Sequence, residues 1–438
     1  MRPLSNFKRL FLKIALLSAL VLLVAVPAGT REILFLALPA FVSHGDRESG
    51  PDPGPGPGDE VIPTPGNNDY VVIAWNDLGM HCMDESFADF AVLPPYNTLV
   101  AQVIRRGPEP KIVTDNLRVE YRFLDNSRSD TKTDFWQYVK QLFGVTLAPN
   151  IGLTGNGLQG IMRAEQDHFI AEGIPLTPYL DSDPTRLAPY QIAEIQVRDS
   201  QGTLLAVTRT VAPVSTEMRC DTCHGDGGSA NPSIATGVVK QNILTLHDQE
   251  ENTTLMANRP VLCAECHASN ALGKPGRPGI PSLSAAIHKK HEKIDDHTMA
   301  GTCYKCHPGE QTKCLRGIMF QNGQSCQNCH GNLQDIAQET RRPWIDEPRC
   351  GNCHDQAHSE QPGTLYRFSR GHHDIFCQAC HGSQHAIYPT VIPEDNIQSN
   401  LLQGHSGTIN SCQVCHTNDP EFNEGPHNGD EGDEGDDD

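Results

Sequence analysis

The sequence predicts a multidomain protein. A mostly-β, sandwich-like domain covers residues 69–215, and a domain of short helices and loops with little apolar material of its own covers 216–420. Three observations predict this. The first region carries two-residue hydrophobic alternation bounded by turn residues, which marks half-buried strands. The second carries one five-residue pattern seven times, separated by polar spacers. Ahead of both, GPDPGPGPGDEVIPTPGNN at 50–68 is too rich in Pro and Gly to pack as helix or strand.

Residues 1–43 read as a signal peptide or an N-terminal membrane anchor. Arg2, Lys8, Arg9 and Lys13 precede the apolar run IALLSALVLLVAVPA at 14–28, where Val26-Pro27-Ala28 offers a cleavage site. That cleavage would leave a second apolar run, ILFLALPAFV at 33–42, at the new N-terminus, which favours a retained anchor. Neither run alone reaches the roughly 20 residues that span a bilayer. The first cysteine is Cys82, so no cysteine is placed for lipid attachment. On either reading the chain is exported, to the periplasm or the cell surface, and 44–68 is a Pro/Gly-rich linker.

Within 69–215, Leu117, Val119, Tyr121 and Phe123 alternate with Arg118, Glu120 and Arg122, the period of a strand with one buried face. Ala193, Ile195 and Val197 repeat the pattern, then meet the turn DSQG at 199–202 and the run TLLAVTRTV, which reads as a hairpin. YVVIAW at 70–75 and LVAQVI at 99–104 are further strands. Phe135, Tyr138, Val139 and Leu142 have the spacing of one short helix. A copper site at His81-Cys82-Met83 is disfavoured, because neighbouring side chains on a strand point to opposite faces.

The formal net charge of -20 argues against nucleic acid as a partner. Part of it sits in an acidic tail at 421–438, whose end GDEGDEGDDD has almost no apolar residue and is expected to be disordered.

The repeated pattern is Cys-x-x-Cys-His. It occurs as CDTCH at 220–224, CAECH at 263–267, CYKCH at 303–307, CQNCH at 326–330, CGNCH at 350–354, CQACH at 377–381 and CQVCH at 412–416. Paired cysteines alone would suit structural zinc, but zinc does not require histidine directly after every second cysteine. The pattern is that of c-type haem attachment. Cys220 and Cys223, Cys263 and Cys266, Cys303 and Cys306, Cys326 and Cys329, Cys350 and Cys353, Cys377 and Cys380, and Cys412 and Cys415 would each bind one haem by thioethers. His224, His267, His307, His330, His354, His381 and His416 would be the proximal iron ligands. Seven covalent haems would then supply the core that the polar spacers cannot build, making this second domain haem-cored.

Each iron needs a ligand on its far face. The candidates are His247, His288 or His291, His297, His358, His372 or His373, His385 and His405. His81 and His168 rank lower because they belong to the β domain, and His44 and His427 are set aside as terminal. His385 follows His381 by four residues and shares its side of a helix, so it is expected to reach a neighbouring haem rather than the one at Cys377 and Cys380. Met299 and Met319 are unnecessary given this supply of histidine.

With these seven sites the chain resembles the multihaem c-type cytochromes of respiratory bacteria, in particular periplasmic and cell-surface cytochromes of metal-reducing bacteria that carry out extracellular electron transfer. The resemblance covers residues ~219–417. NDLGMHCMD at 76–84 and CYKCHPGEQTKCLRG at 303–317 are also similar to pieces of such proteins. It implies haems mostly ligated by two histidines and stacked in close pairs. The expected function is a non-catalytic electron carrier. Its partners would be other redox proteins: cytochromes, quinol-linked donors and terminal acceptors. The alternative is a multihaem reductase of a small nitrogen or sulfur oxyanion with one open-site haem, although no CxxCK variant occurs. The β domain is expected to dock a partner or to join copies of the chain. Cys82 and Cys314 lie outside the motifs, and in an exported chain two spare cysteines are expected to pair. An iron-bound thiolate and free thiols are the other readings.

Overall fold

Strands of the N-terminal half occupy Tyr70–Asn76 (β1), His81–Cys82 (β2), Phe90–Ala91 (β3), Thr98–Arg105 (β4), Lys111–Ile112 (β5) and Leu117–Phe123 (β6). After helix α1 at Phe135–Phe143 come Gln159–Ile161 (β7), Arg163–Ala164 (β8), Phe169–Glu172 (β9), Tyr190–Asp199 (β10) and Leu204–Ser215 (β11). The computed structural model describes residues 69–294, 303–418 and 427. The signal or anchor assignment at 1–43, the 44–68 linker, His297, and the 421–438 tail apart from His427 lie outside the described residues.

One sheet runs β1-β4-β9-β8 with β5 beside β4, and the other runs β2-β11-β10-β6-β7. The alternation in β6 does what its sequence dictates: Val119, Tyr121 and Phe123 are buried while Arg118 and Arg122 are exposed. β10 and β11 form the hairpin, and Gly202 takes the positive φ of 86° that the turn requires. Ala74, Leu99 and Val103 of one sheet pack with Val119, Ile195 and Val214 of the other, and Phe135 and Val139 of α1 close the cluster.

β1 and β4 are buried along nearly their whole length, which a sheet with one wet face would not be. Their outer side chains, Val71, Ile73, Trp75 and Val100, turn away from the sandwich and pack on Phe376, Leu402 and Val414 of the C-terminal half. Edge strand β1 is capped as well, since the Ala74 amide donates to the Gln398 side chain at 2.8 Å.

After Ser215 the elements are short. Helices α2 (Val239–Glu251), α3 (Leu283–Lys290) and α4 (Ile397–Gln403) are joined by single helical turns and loops. A two-residue strand, β12 at Val261–Leu262, pairs in parallel with β3. The described residues belong to one compact unit, and polar joints lock its two halves. Arg316 is fully buried, gives two hydrogen bonds to Asp395 at 2.6 and 2.8 Å, and donates to the Gly79 carbonyl at 2.7 Å. Glu217, just past β11, accepts the amides of Glu310, Gln311 and Thr312 at 2.8, 3.2 and 2.7 Å. No helix among the described residues is long and apolar enough to cross a membrane.

Candidate multihaem centre

Each motif closes one turn of helix. His224, His267, His307, His354 and His416 donate their amides to the carbonyl of the first cysteine of their own motif at 2.8–3.0 Å. The CQNCH and CQACH motifs are themselves helical, at Cys326–His330 and Cys377–His381. Residues i, i+3 and i+4 share one side of a helix, so both sulfurs and the imidazole leave each turn together. The β half supports these turns directly. The Trp75 indole donates to Gln378 at 3.1 Å, Phe376 donates its amide to Gln102 at 3.0 Å, and the Ser383 hydroxyl donates to the Asn76 carbonyl. In the fifth motif the Cys350 amide is held by the Glu360 carboxylate at 2.9 Å.

All fourteen motif cysteines and all seven motif histidines line one continuous cavity of about 4370 Å³. A single small-molecule site measures roughly 300–1,000 Å³, so this space suits several large groups side by side.

Histidines face one another across it in pairs. Ring centres are 6.1 Å apart for His224 and His291, 6.4 Å for His267 and His247, and 6.1 Å for His307 and His288. They are 6.2 Å apart for His330 and His385, 6.2 Å for His416 and His372, and 5.8 Å for His381 and His427. With metal–nitrogen bonds of about 2.0–2.1 Å and about 1.1 Å from ring nitrogen to ring centre, one metal held between two imidazoles separates their centres by about 6.2 Å. Rings in direct contact come closer, as His372 and His373 do at 4.6 Å. Among the described residues no group of three or more His, Cys, Asp or Glu is gathered for a metal. Tetrahedral zinc asks for such a group, whereas a haem iron asks the protein for two axial donors only.

The ring nitrogens are sorted for this use. Nδ1 of His267, His416, His288 and His291 lies 2.9, 3.0, 2.7 and 2.7 Å from the carbonyls of Pro281, Pro108, Ser284 and Ile287. Nδ1 of His247 meets Thr253 at 3.0 Å. An Nδ1–H given to an oxygen leaves the Nε2 lone pair for a metal. Burial holds His307 and His330 down at about 4 and lowers His224, His288 and His381, which keeps these imidazoles neutral, the form that ligates.

The thiols stand in a file. Burial raises Cys220 to about 11, with Cys306 of the third motif the next contributor. Cys303 and Cys326 share a hydrogen bond that lowers the first and raises the second, joining the third motif to the fourth. Burial and then Cys353 raise Cys329, which joins the fourth to the fifth. Burial, Glu360 and then Cys377 raise Cys350 to about 12, and burial and then Cys415 raise Cys380 to about 12. These influences link cysteines of the first and third, third and fourth, fourth and fifth, fifth and sixth, and sixth and seventh motifs. The second motif adjoins the first, since Asp84 and Lys240 act on both Cys220 and Cys263.

The far-face candidates separate clearly. His288 and His291 are not alternatives, because one faces His307 and the other His224. Of the adjacent pair, His372 faces His416, and His373 sits beside it at a φ of 47°. His358 touches His427, with ring centres 5.2 Å apart, and faces no motif histidine. His405 is exposed beside Ser406 and Gln403 and does not line the cavity. The Nε2 of His81 bonds to Asp77 at 2.9 Å, while His168 bonds to Asp167 at 2.8 Å and packs on the edge of Phe376. His427, a terminal residue outside the far-face candidates, faces His381. The only hint of this in the sequence is a lone histidine in an acidic tail.

Cys82 and Cys314 are free thiols, and both line the cavity. No protein-family model matches the chain, and no curated protein matches it either.

Proposed function

We propose that this chain is an exported multihaem c-type cytochrome, a carrier that passes electrons along seven covalent, mostly bis-histidine haems. What supports the reading is a single relationship: six of the seven motif histidines face a second histidine at a spacing that fits one iron, across a cavity lined by every motif cysteine. The motif cysteines would hold the haems, and the paired histidines would close both axial positions. The haem supplies reversible one-electron iron chemistry. Burial lowers His224, His288, His307, His330 and His381, and oxygen partners on Nδ1 orient His247, His267, His288, His291 and His416. Without methionine ligands the potentials are expected to be low. The partners are other redox proteins.

Two measurements test this. Intact mass under denaturing conditions should exceed the processed polypeptide by seven haems; five or fewer in matured protein rejects the reading. Low-temperature EPR with near-infrared magnetic circular dichroism should find bis-histidine iron at the six sites whose motif histidine faces another histidine. The fifth motif separates carrier from reductase, because no histidine among the described residues faces His354. A high-spin iron there that binds nitrite or sulfite would favour the reductase.

A further inference from the structure

Two thiols that belong to no motif lie in neighbouring segments beside one of the facing histidines. Cys82 lies on β2, opposite Ser215 of β11. The Ser215 hydroxyl bonds to that of Thr312 at 3.0 Å, two residues before Cys314. Arg316 then ties both neighbourhoods together, donating to the Gly79 carbonyl at 2.7 Å and to the Cys314 carbonyl at 3.1 Å. Burial raises Cys82 to about 12, and the next contributor is Cys314 itself.

The third group at this junction is His385. Its carbonyl accepts the Arg316 amide at 3.0 Å, and a Cβ on Gly79 would lie 3.5 Å from its amide nitrogen. Every other Nδ1 named above among the facing histidines has an oxygen partner. That of His385 is buried without an oxygen partner, and Cys314 beside the ring raises it by charge and by hydrogen bonding.

We propose that Cys82 and Cys314 are a reversible dithiol–disulfide couple that exchanges electrons with the haem array at the His385–His330 site. This rests on the haem reading above. In the oxidation each thiol loses its proton to solvent, one S–S bond forms, and two electrons leave singly to two ferric irons of the array. Two ferrous irons reverse it, with uptake of two protons. Both cysteines line the cavity that would hold the haems, which makes the array the nearest redox partner. The reduced form leaves Cys314 beside the His385 ring, and the oxidised form commits it to Cys82.

The test uses the mature holoprotein. Oxidised protein, unfolded without reductant, should yield a crosslinked peptide containing Cys82 and Cys314 and no alkylation at either. After full reduction with dithionite both should alkylate. Coulometric titration should count about nine electrons per chain, seven for the irons and two for the disulfide, falling to about seven in Cys82→Ser/Cys314→Ser. Alkylation of both cysteines in oxidised protein overturns the proposal. So does a crosslink that persists while the count stays at seven, which would make the bond structural only. The wild-type protein decides this even where the variant does not fold. A haem count other than seven by denaturing mass would instead reject the parent reading.

Discussion

His385 follows His381 by four residues, yet its ring faces His330 of the fourth motif at 6.2 Å. One short segment thus carries a motif histidine and a second histidine that faces a different motif. α3 likewise faces two different motifs, with His288 facing His307 and His291, its C-cap, facing His224.

His385→Ala should turn the iron at Cys326 and Cys329 from low to high spin while the denatured mass keeps seven haems. Magnetic circular dichroism reads the change. An unaltered spin state would show that His385 is no ligand.

His427→Ala should open the sixth site, at His381, and added imidazole should restore its low-spin spectrum. Removal of residues after 427 should leave that spectrum as it is. Full low-spin character in the His427→Ala protein would place another ligand there.

The facing rings differ in twist. His288 and His307 are 15° apart, whereas His247 and His267 are 88° apart. Near-perpendicular imidazoles leave two iron d orbitals nearly equal in energy, so the second site should give a highly anisotropic EPR signal and the third a rhombic one. A single signal type across all sites would contradict these geometries.

Asp395→Ala strands the buried Arg316 guanidinium, and breaking a buried ion pair costs roughly 3–5 kcal/mol. Replacing both residues by Met and Leu should cost far less. Denaturant unfolding of the holoprotein compares the two variants, and equal losses would remove the charge argument.

Burial alone would raise the Glu217 carboxyl, but the amides of Thr312, Glu310 and Gln311 outweigh it and hold the group below the usual carboxylate range. A depressed folded value contributes stability above the unfolded pKa, about 4.3 for Glu, and that contribution fades as pH falls through the folded value. Glu217→Gln should therefore destabilise by about 1–3 kcal/mol at pH 7 and by much less near pH 3. A penalty independent of pH would mean that the amides do not depend on the charge.

Much of this protein is local and so was written in the sequence. Alternation at Leu117–Phe123 determined a strand because period two allows one buried face, and the spacing in Phe135–Phe143 determined a helix by the same reasoning at period 3.6. The five-residue motif determined seven local turns, since one helical turn carries both sulfurs and the imidazole. The facing partners of the six paired motif histidines were not local. His291 serves the first motif, His247 the second and His427 the sixth, and no spacing rule links those numbers. Tertiary packing decided them, because a far-face ligand is whichever histidine the fold carries across the cavity. It also decided that β1 and β4 are buried on both faces: a continuous run such as YVVIAW reads as a buried strand, but only the C-terminal half, laid against Trp75, supplies the second layer.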